Sequence, residues 1–153
     1  DGKHVYTSGG YPKNHVSAIA ADGSGKLVWE NKSRVYVPSM YIRDGYLYGM
    51  MDAGVLVCWN SATAERLWRQ RMGQPFTATP VPVGDLVYAA SEMGNFYVVK
   101  ATPKGGEIIA ENPLGDQLYA TPVIVNSQIF VRVAHDEDDD RRVEKLYCLE
   151  KKD

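Results

Sequence analysis

Short apolar runs alternate with polar turns along most of the chain. Runs such as Tyr46 to Met51 and Val55 to Asn60 are separated by turns that contain Asp, Asn or Gly. Apolar runs of this length, bounded by turn residues, predict β-strands that are joined by tight hairpins. No stretch shows sustained helical periodicity, so we expect an all-β protein with essentially no helix.

The pattern also repeats at a fixed interval. Pro38, Pro80 and Pro122 lie 42 residues apart, and each precedes a short apolar run, a turn and further β-rich runs. A period in the forties with four short strands per unit is typical of a β-propeller blade. We place the blades at residues 1–34, 35–75, 76–117 and 118–153.

These units amount to part of a propeller. Propellers close with about four to eight blades, and about three and a half four-stranded blades do not make a ring. We therefore expect a single partial propeller, the C-terminal half of a larger ring. Its open blade edges would expose sheet and apolar surface. Either the remaining blades of the same propeller or a second copy, in a homodimer of half-rings, would cover them.

The turn before the last strand of the second blade carries a specific motif. Residues 58–68 read Cys-Trp-Asn-Ser-Ala-Thr-Ala-Glu-Arg-Leu-Trp. This stretch resembles the tryptophan-docking motif of pyrroloquinoline-quinone (PQQ)-type β-propellers, with Ala64 in place of a glycine. The positions that match are Asn60, Thr63, Glu65 and Trp68. A related but shorter stretch in the first blade ends at Trp29.

A flat tryptophan on the last strand of a blade can pack on a turn of the next blade. Burial of such a ring hides on the order of 200 Å² and holds neighbouring blades together. We therefore assign Trp29 and Trp68 a structural docking role. The resemblance implies a PQQ-like β-propeller, related to the scaffold lipoprotein of the outer-membrane β-barrel assembly machine and to uncharacterised exported bacterial propellers. It also implies a periplasmic or extracellular location.

The leading functional interpretation is a non-catalytic binding or scaffold module of an exported bacterial protein, with a protein as partner. One alternative is the C-terminal half of a quinoprotein-type dehydrogenase or sensor, which would bind PQQ with calcium. A second alternative is a carbohydrate-binding propeller. The sequence favours a non-catalytic protein over an enzyme, because it has no adjacent Cys-Cys pair, nucleophile elbow or Gly-rich phosphate loop. We predict no catalytic residue, and PQQ with calcium as cofactor only under the first alternative.

Candidate binding residues collect at one end of the blades. Since successive strands alternate in direction, the hairpin between the second and third strands lies at the same end as the blade-to-blade connection. We expect a ligand or partner face that is formed by Tyr11, Arg34, Tyr36, Phe76 and Tyr119. Aromatic and arginine side chains at a propeller mouth suit a peptide, sugar or cofactor. The alternative is that they pack the rim of the channel.

The charge balance bears on other partners. A formal net charge of −2, from 17 basic and 19 acidic residues, gives no electrostatic case for nucleic acid. No apolar stretch approaches the roughly 18 residues that a transmembrane helix needs. We therefore predict no nucleic-acid partner and no transmembrane segment.

An acidic run, Asp136 to Asp140, resembles the start of a calcium loop. An EF-hand loop from Asp136 would need Gly at its sixth position and Glu at its twelfth, where this chain has Arg141 and Tyr147. We expect a long acidic loop from His135 to Arg142 that forms a solvated hairpin tip, with a weak cation site or a docking patch for a basic partner as alternatives. The three histidines share no ligand spacing, so no metal site is predicted.

The two cysteines occupy equivalent places in blades that are two repeats apart. Cys58 and Cys148 should therefore lie well beyond the Cα separation of about 7 Å that a disulfide allows. We expect two buried free thiols.

Overall fold

The computed structural model describes residues 1–137 and 141–150. Over these residues the chain forms fourteen strands in four antiparallel sheets. The first and fourth sheets have three strands, and the second and third have four. The all-β fold and the partial PQQ-like propeller are confirmed. Because the described residues form only strands, turns and loops, they contain no helical segment that could span a lipid bilayer.

Strands that follow one another in the chain are hydrogen-bonded neighbours in every sheet. The first sheet has β1 (His4–Gly9), β2 (His15–Ala20) and β3 (Leu27–Asn31). The second has β4 (Met40–Arg43), β5 (Tyr46–Met51), β6 (Val55–Asn60) and β7 (Arg66–Arg71). The third has β8 (Val81–Val83), β9 (Leu86–Ala90), β10 (Asn95–Thr102) and β11 (Gly105–Pro113). The fourth has β12 (Val123–Val125), β13 (Gln128–Asp136) and β14 (Arg142–Glu150).

The tight hairpins follow from their turn residues. Asp44 and Gly45 between β4 and β5 have φ angles of 50° and 80°. Asn126 and Ser127 between β12 and β13 have φ angles of 49° and 64°. Two successive positive φ angles are the requirement of a type I′ turn, whose twist matches that of the flanking strands. Both two-residue hairpins are as the sequence predicts.

The core lies between the sheets. Three clusters of buried residues fill the three gaps between successive sheets. The first cluster includes Leu47 and Trp59, the second Tyr48 and Tyr97, and the third Phe96 and Val131. Strand β6 is buried from Val55 to Trp59 without alternation, because a neighbouring sheet covers each of its faces. Stacking of whole sheets therefore supplies the apolar burial that a single sheet cannot.

The last sheet differs from the others on its outer face. Leu56 of β6 and Phe96 of β10 are 0% and 2% exposed, whereas Leu146, at the equivalent register position of β14, is 73% exposed. Cys148 on the same strand is a free, exposed cysteine, and Cys58 is a free, buried one. The expectation that both thiols are buried is therefore wrong for Cys148. No sheet of the described chain covers that face.

The fourth-blade hairpin is longer than the sequence predicts. Strand β13 continues to Asp136 and β14 begins at Arg142, where we expected a long acidic loop from His135 to Arg142. The backbone N–H of Glu137 donates to the carbonyl of Arg141 at 2.9 Å, which extends the hairpin. Asp138, Asp139 and Asp140 lie outside the described residues, and the prediction of a solvated tip falls on them.

Candidate functional site

The hairpins between middle strands meet the blade-to-blade linkers at one end of the blades. The N–H of Met72 donates to Gly54 O at 2.8 Å, that of Phe76 to Asp52 O at 3.0 Å, and that of Leu114 to Gly94 O at 2.9 Å. We call this end the linker face; it comprises hairpins 10–14, 52–54 and 91–94 and linkers 32–39, 72–80 and 114–122. The opposite end, the turn face, holds turns 44–45, 61–65 and 102–105. The expected position of hairpins beside linkers is confirmed.

Two glycines allow linkers to pack closely on the hairpins. Gly54 has a φ of 74°, and a Cβ there would lie 1.9 Å from Gln74 O. Gly94 has a φ of 79°, and a Cβ there would lie 1.8 Å from Gly115 O. Both positions need glycine for the left-handed backbone and for the absent side chain. The second and third linkers therefore pack directly on the backbone of a hairpin.

Arg34 and Tyr36 come together on the first linker. The backbone N–H of Tyr36 donates to Asp52 Oδ2 at 2.9 Å, and Arg34 Nε lies 4.0 Å from the same oxygen. The Tyr36 residue is 53% exposed and the Arg34 side chain 58% exposed. One carboxylate on a neighbouring hairpin thus orders a linker whose aromatic and cationic side chains face solvent.

The first-blade loop lies against this linker. A Cβ on Gly10 would be 2.6 Å from the Cγ of Tyr36, and one on Gly9 would be 2.6 Å from the His15 ring. The two rings therefore cover the two glycines and hold the loop. Tyr11, next in the chain, is 83% exposed. A surface cavity of about 940 Å³ opens here, lined by residues 10–15, Glu30 and Lys32.

Tyr119 belongs to a second cluster on the fourth blade. It is 43% exposed, and the Cζ of Arg142 lies 5.5 Å from its ring centroid. Arg142 also donates to Gln117 Oε1 at 2.8 Å. In the described part of the chain, no hydrogen bond, ion pair or ring contact joins Tyr119 to Tyr36. Sequence reasoning missed Arg142 as a site residue, because only the hairpin register brings it beside the linker.

Phe76 is not part of this surface. Its side chain is fully buried and its ring lies 5.8 Å from that of Tyr97 in the core between the second and third sheets. Its backbone N–H donates to Asp52 O, so the linker contacts the hairpin while the ring enters the core. This placement corrects the expectation that Phe76 faces a ligand.

The two motif tryptophans reach the next sheet at the turn face. Trp29 Nε1 donates to Ser61 O and Trp68 Nε1 donates to Thr102 O, each at 2.7 Å. A Cβ on Gly106 would lie 2.6 Å from the Trp68 ring. Each tryptophan of the pair therefore contacts the equivalent turn of the following blade.

The titratable groups of the interior belong to the core. Burial raises the pKa of Tyr48 to about 12 and the pKa of Cys58 to about 11. A buried thiol with a raised pKa is a poor nucleophile. Across residues 1–137 and 141–150, no three His, Cys, Asp or Glu side chains come together as a metal site would need.

The stacked units of three or four strands define part of a PQQ-type β-propeller. The family model that is described as "Outer membrane protein assembly factor BamB" matches residues 12–102. This match covers more than half of the chain, and the protein belongs to this family. A search of the curated proteins gave no match.

Solved structures with the same fold include alcohol dehydrogenases and BamB. Quinohemoprotein alcohol dehydrogenase from Comamonas testosteroni has a TM-score of 0.69 at 15% identity, over 87% of this chain and 28% of that chain. Quinohemoprotein alcohol dehydrogenase ADHIIG from Pseudomonas putida HK5 has a TM-score of 0.68 at 16% identity, over 88% and 27%. BamB from Moraxella catarrhalis has a TM-score of 0.56 at 15% identity, over 93% and 42%.

The chain thus matches less than half the length of each of these proteins. At such identities the likeness shows the fold alone.

Proposed function

We propose that the protein is a non-catalytic scaffold module that binds a protein partner through its linker face. The observation that carries the proposal is the exposed group of Tyr11, Arg34 and Tyr36, in which Asp52 and Gly10 hold Tyr36. The ring of Tyr36 packs on Gly10 and its backbone N–H donates to the Asp52 carboxylate, while half of the residue faces solvent. Tyrosine and arginine are the residue types that most often anchor protein interfaces.

Pre-organisation gives these side chains a further advantage. A partner that binds an already ordered surface avoids the cost of about 0.5–1.5 kcal/mol for each long side chain that it would otherwise immobilise. Tyr119 with Arg142 offers a second ordered pair on the same face. Membership of a family that is described as an outer membrane protein assembly factor supports a protein partner.

The proposal includes an exported, periplasmic or extracellular protein, supported by the same family description. It also includes the remaining blades of a propeller, or a second copy, as the cover of the outer face around Leu146. The proposal further includes a docking role for Trp29 and Trp68, which would hold adjacent blades together and so keep their linkers aligned.

Site-specific photo-crosslinking tests the scaffold proposal. Tyr36 and Tyr119 are replaced one at a time by p-benzoylphenylalanine in the protein made by its own bacterium, with Leu67 on the turn face as control. Leu67 suits this purpose because it is 40% exposed and lies beside residues 102–104. We expect one defined protein adduct from the linker face and none from Leu67.

Mass spectrometry of the adduct identifies the partner protein. The purified partner is then titrated with the wild-type protein and with a Tyr36→Ala variant. Weaker binding by the variant supports the proposal. Equal crosslinking from both faces contradicts it, and so does calcium-dependent binding of PQQ by the same protein. Glycan binding that is lost in Tyr119→Ala would favour the carbohydrate-binding alternative instead.

A further inference from the structure

On the basis of the scaffold function above, we propose that the first blade carries a docking groove for an extended acidic segment of the partner. The groove is the cavity of about 940 Å³ beside the first-blade loop, together with the linker that borders it. We call it the basic groove and define it by its exposed side chains, Tyr11, Lys13, Lys32, Arg34 and Tyr36.

The cations of the basic groove are available to a ligand. In the part of the chain that the structure describes, Lys13 and Lys32 form no ion pair. Arg34 meets Asp52 only at 4.0 Å, and Asp52 Oδ2 already accepts the N–H of Tyr36. The protein as a whole has a formal net charge of −2, so this cluster is a local feature and not a consequence of overall charge.

The one acidic side chain in the lining has a partner of its own. Glu30 Oε2 accepts a hydrogen bond from Ser17 Oγ at 3.0 Å, and Ser17 is buried in the adjacent strand β2. This bond holds the Glu30 carboxylate against the sheet. Lys13 and Lys32, in contrast, project from a loop and a linker into solvent.

The spacing of the linker side chains favours an extended ligand. Lys32, Arg34 and Tyr36 are exposed, whereas Ser33 is partly and Val35 fully buried. Alternate side chains of an extended peptide also lie on one side, about 6–7 Å apart. Asp or Glu at alternate positions of a bound segment would therefore meet Lys32 and Arg34 in turn.

Aromatic surface borders the same groove. Tyr11 is 83% exposed and Tyr36 53%, and the contact of the Tyr36 ring with Gly10 joins linker to loop. Rigid aromatic rings provide contact area at little conformational cost. Carboxylates that pair with three cations, beside two exposed rings, give the charge complementarity that selects an acidic peptide over a neutral one.

A binding titration with the whole chain tests this assignment. The probe is a fluorescein-labelled peptide of alternating Glu and Ser, and its anisotropy is compared with that of the matched Gln–Ser peptide. The variant is Lys13→Glu/Lys32→Glu. The control is Lys26→Glu/Lys104→Glu, which makes the same charge change at two exposed lysines on turns of the opposite end.

We expect wild type and control to bind the Glu–Ser peptide equally, and the groove variant at least about tenfold more weakly. The Gln–Ser peptide should bind at least about tenfold more weakly to the wild type, and added salt should weaken the Glu–Ser complex. Circular dichroism and the melting temperature should be unchanged, since Lys13 and Lys32 are both exposed. Equal binding of both peptides, or equal binding by both double variants, overturns the proposal.

Two other outcomes are distinguishable. If the acidic peptide fails to bind while Tyr36 and Tyr119 still crosslink to a protein, the acidic segment is wrong and the scaffold function stands. If the protein self-associates and the groove variant abolishes this, the occupant is the acidic run 136–140 of a second copy, which overturns a separate partner.

Discussion

Ala64 adopts a backbone conformation that L-residues with side chains disfavour. Its φ is 61°, in the turn where the docking motif has glycine. The turn forms nevertheless, because Asn60 Oδ1 accepts the N–H groups of Ala62 and Thr63 at 2.9 and 3.2 Å. Gly25, in the related turn of the first blade, has a φ of 68°. The local hydrogen bonds therefore hold Ala64 in a conformation that glycine adopts without strain.

Ala64→Gly should stabilise the protein by about 0.5–1 kcal/mol, because glycine removes the left-handed penalty at the cost of some unfolded-state entropy. Denaturant unfolding measures the free-energy change. Ala62→Gly is the matched control in the same turn, and it should not stabilise. A loss of stability in Ala64→Gly would contradict the strain argument.

Tyr48 is a residue whose environment predicts a pH response. Its ring stacks on Tyr41 with centroids 4.9 Å apart, and its hydroxyl is buried. Burial raises the pKa of Tyr48 to about 12, from an ordinary 10.0. The neutral form is thus favoured in the folded state, so its contribution to stability is full below pH 10 and is lost as the pH rises towards 12. Cys58 adds a similar loss between about pH 9 and 11.

Tyr48→Phe should therefore reduce the loss of unfolding free energy above pH 10 and leave the value at pH 7 little changed. The measurement is denaturant unfolding at a series of pH values from neutral to alkaline. Tyr11→Phe is the control, since Tyr11 is 83% exposed and should leave the profile unchanged. The same alkaline slope in wild type and Tyr48→Phe would contradict the assignment.

At the scale of elements, hairpin and linker act as one unit. Gly54→Ala would place a Cβ 1.9 Å from the carbonyl of Gln74, whereas Gly45→Ala would meet nothing within 4 Å. Both glycines have positive φ, 74° and 80°, so both substitutions carry a conformational cost of about 1–2 kcal/mol. Gly54→Ala should lower the unfolding free energy beyond this conformational cost, because the added Cβ would separate the linker from the hairpin.

We expect Gly54→Ala to lower the unfolding free energy by at least about 2 kcal/mol more than Gly45→Ala, since backbone has to move. Denaturant unfolding of the two variants gives the difference directly. Equal losses would mean that the close approach contributes nothing beyond the glycine conformation.

The tryptophan that joins the second blade to the third provides a second element-scale prediction. Trp68→Ala should cost roughly 3–5 kcal/mol, the range for truncation of a large aromatic side chain in a packed site. Trp68→Phe should cost about 1–3 kcal/mol, because it leaves the carbonyl of Thr102 without its donor. Leu67→Ala, at an exposed neighbour on the same strand, is the control. A loss below about 1 kcal/mol in Trp68→Ala would rule out the docking role.

At the scale of the whole molecule, the open outer face of the fourth sheet predicts association. Leu146 is 73% exposed where its counterparts in the second and third sheets are almost fully buried. Light scattering of the isolated 17.0 kDa chain should show concentration-dependent association. Leu146→Asp should reduce it, and Leu67→Asp on the turn face should not. A monomer at every concentration would contradict this expectation.

The candidate site could be predicted from the sequence only in part. The direction of strands within a blade is enough to bring hairpins and linkers to one end, so Tyr11, Arg34, Tyr36 and Tyr119 could be proposed together. The burial of each side chain could not be predicted from strand direction. Phe76 occupies the same kind of linker as Tyr36 but enters the core, where its ring packs near that of Tyr97. Arg142 needed the register of β13 with β14 to reach Tyr119.

The sequence by itself determined the strands, the tight turns and the repeat, since these depend on the local alternation of apolar runs and on turn residues such as Asp44-Gly45. It also indicated which tryptophans reach a neighbouring blade. Only the tertiary structure decided what is exposed. Cys58 and Cys148 stand at equivalent positions, yet one is buried and the other exposed, because burial depends on whether a second sheet packs on that face. The basic groove has the same origin, since the contact of Tyr36 with Gly10 joins segments that the sequence keeps apart.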